Sequence, residues 1–458
     1  MTQREALDIL KMGHNVFLTG SAGSGKTFLL NQYIDYLKDK KVNVGVTAST
    51  GIAATHMNGV TVHSWSGMGV KDALSDKDIQ NLLRRRRLKN NIYKTKVLII
   101  DEVSMLHHFQ LDLVDRICKA FKQNYEQPFG GIQVILCGDF FQLPPVSKEN
   151  EKVYFVNESN IWSDMNLKVC YLDEQYRQSD DELTRVLNDI RTDSVGEYTL
   201  EPLRKRYQNS NVGIPNLTKL YTHNVDVDTI NNIELEKLQG ELSVYRMISS
   251  GSPKLVETLK KNCLASEELF LKKGALVMFV KNSFEEGYVN GTLGIVVDFN
   301  SEGLPVVKTY KGKIISVVHK SWTIEENDKV IAEIIQIPLR LAWAITVHKS
   351  QGMTLDAAEI DLSKSFVEGM GYVALSRVCS FNGLKLMGWN NMALRINKEV
   401  LELDKELIKM SASTSSELNQ LSSQEKERKQ KEFLDSVVEK TESDDKAYCV
   451  AEINEIYP

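Results

Sequence analysis

The segment GSAGSGKT, Gly20 to Thr27, sets a glycine-rich turn between a short apolar run and a helical stretch in the spacing G-x-x-x-x-G-K-[ST]. Such a turn lets the backbone N–H groups of Gly20, Ser21, Ala22, Gly23, Ser24 and Gly25 face inward around phosphate oxygens, and the start of the next helix adds its positive dipole. Lys26 is expected to reach the β- and γ-phosphates, and Thr27 to hold Mg²⁺ through its hydroxyl. In VLIIDE, four apolar residues deliver Asp101 and Glu102 to the carboxyl end of a strand. There Asp101 can hold the metal's water shell and Glu102 can orient and deprotonate an attacking water. In CGDFFQLPPV, Asp139 and Gln142 follow another apolar strand. The Gln142 amide can hydrogen-bond both a γ-phosphate and the water, and Pro144 and Pro145 stiffen the turn. The chemistry expected of this set is nucleoside triphosphate hydrolysis with water as the acceptor.

These groups need strands that end together. The runs NVFLTG, VNVGVTAS, VLIIDE, IQVILCGD and LKVCYLDE alternate with helical stretches, the pattern of a doubly wound parallel α/β sheet whose polar residues gather at the strands' carboxyl ends. A second α/β series begins near Leu217 with LTKLYTHNVDVDTINN, resumes at GALVMFVKN and ends with AAEIDLS, GYVALSRV and GLKLMGW. The expected domains are therefore 1–175 and 176–400, followed by an acidic tail, 401–458. Val70 to Lys96, polar and basic, reads as an insertion in the first domain. Thr292 to Ile337 alternates β-branched and polar residues around turns, as a small antiparallel β-barrel or meander inserted in the second. The Ser- and Glu-rich tail from Met410 reads as a mobile appendage with one short docking helix. That helix opens at the capping box Ser422 to Glu425 and presents Phe433, Leu434, Val437 and Val438.

With 458 residues, 42% hydrophobic and 26% charged, the chain is a multidomain globular protein. Its net charge of -5 would oppose a polyanionic partner, but the last 58 residues hold 8 basic and 14 acidic side chains, which leaves the body at +1. Affinity for nucleic acid must then come from a local groove. The six cysteines are scattered without metal-ligand spacing, which fits free thiols in a reducing compartment. Neither an export signal nor an apolar run of about 18 residues occurs, so no membrane is expected, and a bacterial cytoplasm and a nucleus both fit.

GSAGSGKT, TASTGIAA, TVHSWSG, IIDEVSM, PFGGIQVILCGDFFQLPPV, YVNGTLG, LAWAITVHKSQGMTLD and GYVALSRV occur in this order. Over about residues 1 to 390 the chain thereby resembles the petite-integration-frequency (PIF-type) DNA helicases, RecD-like enzymes of superfamily 1B. Ser104 to Asn124 falls where that family carries its signature stretch. The resemblance implies two RecA-like domains with ATP and Mg²⁺ between them, an SH3-like β-barrel as the second insertion, and single-stranded DNA across the top. It also implies 5′→3′ movement, unwinding from a 5′ overhang, and work in DNA replication, repair or recombination on single-stranded, tailed or forked DNA; the chain itself is expected to be a monomer in solution. By position, Gln3 corresponds to an adenine-reading glutamine, Arg177 and Arg377 to arginines offered to the γ-phosphate by the opposite domain, and Gln351 and Gly352 to nucleotide contacts. A guanidinium fork arriving from across a cleft can both stabilise phosphoryl charge and sense closure.

The DNA contacts follow the same correspondence. In the first domain they are Thr47, Ser49, Thr50, Gly51, His63, Ser64 and Trp65, with Phe141 and Pro144; Trp65 or Phe141 would stack a base. In the second they are Thr222, His223, Lys281, Asn282, Asn290, Gly291, Thr292, Thr346, His348, Lys349 and Ser350. Arg84 to Arg87 is either a solvated face or a basic edge that meets duplex at a fork. Two rivals share the cleft chemistry, a nucleotide-switched binding protein that does not step and an RNA helicase; a nuclease is disfavoured, since no second acidic cluster is apparent.

Overall fold

The computed structural model describes residues 1–69, 72–145, 153–174, 180–207, 217–222, 227–283, 285–326 and 329–438. Arg177 and His223 lie outside the described residues, as do residues 439–458 of the tail.

The first lobe is built on six parallel strands, β1 (Val16–Gly20), β2 (Val44–Ala48), β3 (Val60–Thr61), β4 (Val97–Asp101), β5 (Gln133–Cys137) and β6 (Lys168–Leu172), in the order β3-β2-β4-β5-β1-β6. β1, β4 and β5 are buried along their whole length, which is why their sequences are apolar runs and not alternations. Successive residues feed opposite cores. Phe17, Leu98, Ile100, Val134 and Leu136 face one layer of helices, whereas Val16, Leu18, Val97, Ile99, Ile135 and Cys137 face the other. That second layer includes α1 (Gln3–Lys11) and α2 (Lys26–Asp39), and α1 opens with a capping box between Thr2 and Glu5.

The second lobe holds a four-stranded parallel sheet in the order Ala344–Thr346, Thr218–Tyr221, Ala358–Leu362, Leu384–Trp389. Parallel strands in two α/β lobes agree with the expected fold class. The antiparallel insertion is larger than expected, however. Its strands run from Ser243 to Leu341 and form sheets of two, three and five strands. The segment GALVMFVKN, read from its unbroken apolar character as a parallel strand, supplies Leu276–Phe279, which pairs antiparallel with Leu293–Phe299 on one side and Leu339–Leu341 on the other. It is covered on both faces, and an apolar run reports that burial without reporting strand direction. In the smaller insertion, helices Asp76–Leu83 and Arg86–Lys94 leave Arg84 to Arg87 exposed.

The tail also differs from expectation. It holds two helices, Lys398–Gln420 and Ser423–Val437, and both pack on the first lobe. The longer one crosses β6: Tyr171 N donates to Ser411 Oγ at 3.0 Å, Tyr171 Oη to Asp404 Oδ1 at 3.0 Å, and Lys168 Nζ to Glu417 Oε2 at 2.6 Å. Its buried face runs Val400, Leu407, Ser411, Thr414 and Leu418, so two small hydroxyl residues occupy core positions and disguise a helix as a linker. The capping box at Ser422 and Glu425 is present as expected, and Phe433, Leu434, Val437 and Val438 join the core beneath α1 and α2. Phe433 lies against Gly13, whose backbone is left-handed at φ 83 and where an added Cβ would fall 2.2 Å from the ring. Phe433→Ala is expected to destabilise the first lobe by about 2 kcal/mol, below the usual cost for a fully buried phenylalanine because the ring is only partly buried. A denaturant midpoint equal to that of the parent chain would contradict this packing.

Candidate active site

The phosphate loop leaves β1 at Gly20, whose φ of 142 is open only to glycine and where a Cβ would stand 2.5 Å from the Leu172 carbonyl oxygen. Gly25, left-handed at φ 84, opens α2 with no side-chain cap, so the helix's first N–H groups stay available to an anion. Lys26 Nζ donates to the carbonyls of Gly20 at 2.8 Å and Ser21 at 3.0 Å, which curls the lysine over the loop. Gln3, the first residue of α1, donates through Nε2 to the Ser24 carbonyl at 3.4 Å and so borders the same loop. Thr27 is exposed one residue into α2.

β4 ends at Asp101, and Glu102 follows in the left-handed region at φ 52, ψ 43, a costly conformation for a side chain with a Cβ and one that recurs at functional sites. Burial raises the Asp101 pKa, against hydrogen bonds from Cys137 and the Glu102 N–H and the charge of Lys26. Glu102 is pushed up to about 7 by burial first and then by Asp101, while Lys26 and Arg377 pull it back. Two cations far apart in the sequence thus lie within electrostatic reach of one carboxylate.

Arg377 is 1% exposed and follows the second-lobe helix Met370–Leu375. Its Nε donates to the Val373 carbonyl at 3.0 Å, Nη1 to that of Ser350 at 3.4 Å and Nη2 to Ser376 Oγ at 2.8 Å, so the guanidinium is fixed in place. Gln142 is buried after β5, with its Nε2 3.4 Å from Asp139 Oδ2 and its Oε1 without a partner. Ser24 Oγ and Gln351 Nε2 are likewise buried and unpartnered, and Gly352 is left-handed at φ 72. Three orphaned polar atoms on the loop, the Gln142 turn and the Gln351 turn fit a polar ligand with many acceptors and donors.

The residues expected to touch DNA divide into two groups. Ser64, Asn282 and His348 are exposed, and His63, Ser49, Thr50, Gly51, Pro144, Lys281, Thr292, Thr346 and Lys349 are partly so. Of these, Ser49 Oγ donates to the Glu102 carbonyl at 2.6 Å, Thr50 caps α3 (Gly51–His56), Lys281 donates to the Ser321 carbonyl, and Thr346 Oγ1 accepts from Lys349 N. Seven of the expected contacts are buried or already engaged within the protein in this arrangement. Thr47 Oγ1 is buried and donates to the Ile99 carbonyl at 2.7 Å, which ties β2 to β4, and Thr222 and Ser350 spend their hydroxyls on the carbonyls of Asp361 and Val347. Trp65 is 4% exposed in the core, and Phe141 lies under the Arg191 guanidinium at 4.0 Å, so neither offers a free ring face. Asn290 and Gly291 are buried in a turn where Asn290 N donates to Asn282 Oδ1 at 2.8 Å.

Sequence reasoning missed Arg191, Tyr372 and Asp404. They meet around Asp139, which is 1% exposed and takes Arg191 Nη1 at 2.9 and 3.0 Å on its two oxygens. Asp139 at the end of an apolar strand was the one available signal, because a buried carboxylate needs a cation from somewhere.

Residues 2–193 match the PIF1-like helicase family, and residues 254–299 match the 2B domain of the DNA helicase Pif1. Over 459 residues, 87% of this chain and 69% of the other, the sequence is 47% identical to the ATP-dependent DNA helicase Pif1 of a Psychrobacter species. Unliganded Pif1 from a Bacteroides species superposes with a TM-score of 0.75 at 31% identity, covering 88% of this chain and 95% of that one. Bacteroides Pif1 in complex with ADP-AlF3 and ssDNA gives 0.60 at 30% identity, over 89% and 96%. With the phosphate loop and the acidic pair at neighbouring strand ends and a relative this similar, the chain belongs to the Pif1-like helicase family.

Proposed function

We propose that this chain is an ATP-driven translocase on single-stranded DNA that moves 5′→3′ and unwinds duplex from a 5′ overhang, in DNA replication, repair or recombination. The observation that carries the reading is that the second-lobe helix beside Arg377 meets the phosphate loop directly, with the Tyr372 hydroxyl accepting from the Ala22 N–H at 3.0 Å, so that groups of both lobes surround Lys26 and Glu102. A site completed by two lobes can turn a chemical cycle into relative motion.

In the proposed reaction Lys26 exchanges the carbonyls of Gly20 and Ser21 for phosphate oxygens, and Gln3 borders the base. Glu102 takes a proton from water as the water oxygen bonds to the γ-phosphorus. The bond from that phosphorus to the β–γ bridging oxygen then breaks, leaving ADP and inorganic phosphate. Gln142 holds the water, and Arg377 neutralises charge on the γ-phosphoryl oxygens; Arg177 is proposed for the same task. Thr27 and Asp101 supply only oxygen donors, which suits Mg²⁺, whose charge would offset that of the phosphates.

Closure of the lobes over ATP and reopening after hydrolysis would change which lobe grips the strand. The closer superposition on the unliganded Bacteroides protein than on its complex with ssDNA, 0.75 against 0.60, supports a reading in which the lobes move when a strand enters. Arg85 and Arg87 line a recess of about 850 Å³ together with Lys38, Lys41 and Lys254, the last from the antiparallel insertion. We assign this basic wall to duplex at the fork.

Lys26→Ala is expected to abolish ATP turnover and leave single-strand affinity within about threefold in a binding titration; retained turnover would contradict the site. Arg377→Ala should lower DNA-stimulated turnover by about 10³-fold in a steady-state assay, and a loss under about tenfold would remove it from the reaction. On tailed duplexes, strand separation should require a 5′ tail; equal or greater unwinding from a 3′ tail would contradict the direction.

A further inference from the structure

One hydroxyl touches the three pieces that surround the triphosphate site. Tyr372 Oη accepts from the Ala22 N–H of the phosphate loop at 3.0 Å and from Arg191 Nη1 at 3.1 Å, and it lies 3.4 Å from Asp139 Oδ2 as a donor. A phenol has one proton to give and two lone pairs to fill, so its capacity is fully used. Burial, and then the Asp139 charge, push the Tyr372 pKa up to about 12, which keeps the donor proton in place.

Each partner leads to a different side chain of the reaction. Ala22 belongs to the loop that carries Lys26. Asp139 accepts from Gln142 through both its backbone carbonyl, at 2.9 Å, and its carboxylate, at 3.4 Å. Tyr372 itself lies on the short helix that precedes Arg377, where Ser376 N bonds the Tyr372 carbonyl at 2.9 Å and Arg377 Nε bonds that of Val373 at 3.0 Å. The helix abuts the Gln142 turn directly: a Cβ at Gly369, left-handed at φ 81, would stand 2.7 Å from the Phe141 carbonyl oxygen. Arg191 completes the network by spanning Asp139 and, through Nη2, Tyr171 Oη at 2.9 Å and Asp404 Oδ1 at 3.2 Å on the long C-terminal helix.

We propose that Tyr372 is a positioning residue for hydrolysis: its hydroxyl sets the spacing between the phosphate loop, the Gln142 turn and the helix that carries Arg377, with Arg191 as its anchor. The inference rests on the reading of Gly20–Thr27 as the ATP site. A buried network with every member bonded holds one geometry, and removing one hydroxyl relaxes three elements at once. Rates fall steeply when groups that act on a transition state are displaced, whereas ground-state binding through the remaining loop contacts changes little.

The test is steady-state ATP hydrolysis with saturating single-stranded DNA by the full chain, by Tyr372→Phe and by Arg191→Lys, each assayed well below its melting temperature. Tyr372→Phe keeps the ring and loses only the hydroxyl; Arg191→Lys keeps the charge and loses the fork. The proposal expects kcat to fall at least about tenfold in both, with KM for ATP within about threefold. A lower melting temperature with kcat within about twofold of the parent would make the network purely structural and overturn the proposal. A rise in KM with unchanged kcat would overturn it too, as the mark of lost uniform binding. Absence of hydrolysis in the parent chain would overturn the ATP-site reading and the inference with it, whereas parental turnover with unaltered variants overturns the inference alone.

Discussion

Two carboxylates buried side by side at the end of one strand cannot both carry charge without cations close by. Asp101 and Glu102 are in that position, and the charges that reach Glu102 come from Lys26 in one lobe and Arg377 in the other. The electrostatics of the site therefore depend on how the lobes stand. Any motion that withdraws Arg377 raises the cost of ionising Glu102, and any motion that brings it in favours the base. In the proposed cycle, that dependence is what couples the chemistry to lobe motion.

The rest of the architecture positions those four groups. Parallel strands buried on both faces bring the phosphate loop, the acidic pair and the Gln142 turn to one edge. The C-terminal helices brace that sheet from outside, along β6 and beneath α1, the helix that carries Gln3. The brace and the reaction meet at Arg191, whose burial opposes its charge while Asp139, Tyr372, Tyr171 and Asp404 more than restore it.

The nucleotide side of the site was legible in the sequence because its chemistry demands residue types at fixed local spacing. Gly20, Lys26, Asp101 and Glu102 are each named by neighbours within a few positions. The network around Asp139 was not legible, since Arg191, Tyr372 and Asp404 are joined only by folding and carry no spacing of their own. The DNA track was legible as motifs, but not which of its hydroxyls the fold engages: Thr47 and Ser350 have the small hydroxyls suited to a phosphate, yet each closes a backbone carbonyl of its own lobe. Leu276–Phe279 and the helix Lys398–Gln420 were misread for a shared reason, that burial on both faces or a small-residue interface erases the periodicity by which an element is recognised.

The central claim is that one triphosphate, gripped from both lobes, drives their relative motion. Single-pair energy transfer between dyes on Glu126→Cys and Lys364→Cys, exposed positions on the first and second lobes, observes that motion during turnover on single-stranded DNA. The account predicts transfer efficiency that alternates between two values at the frequency of ATP hydrolysis. A single unchanging efficiency while ATP is consumed at the full rate would contradict it.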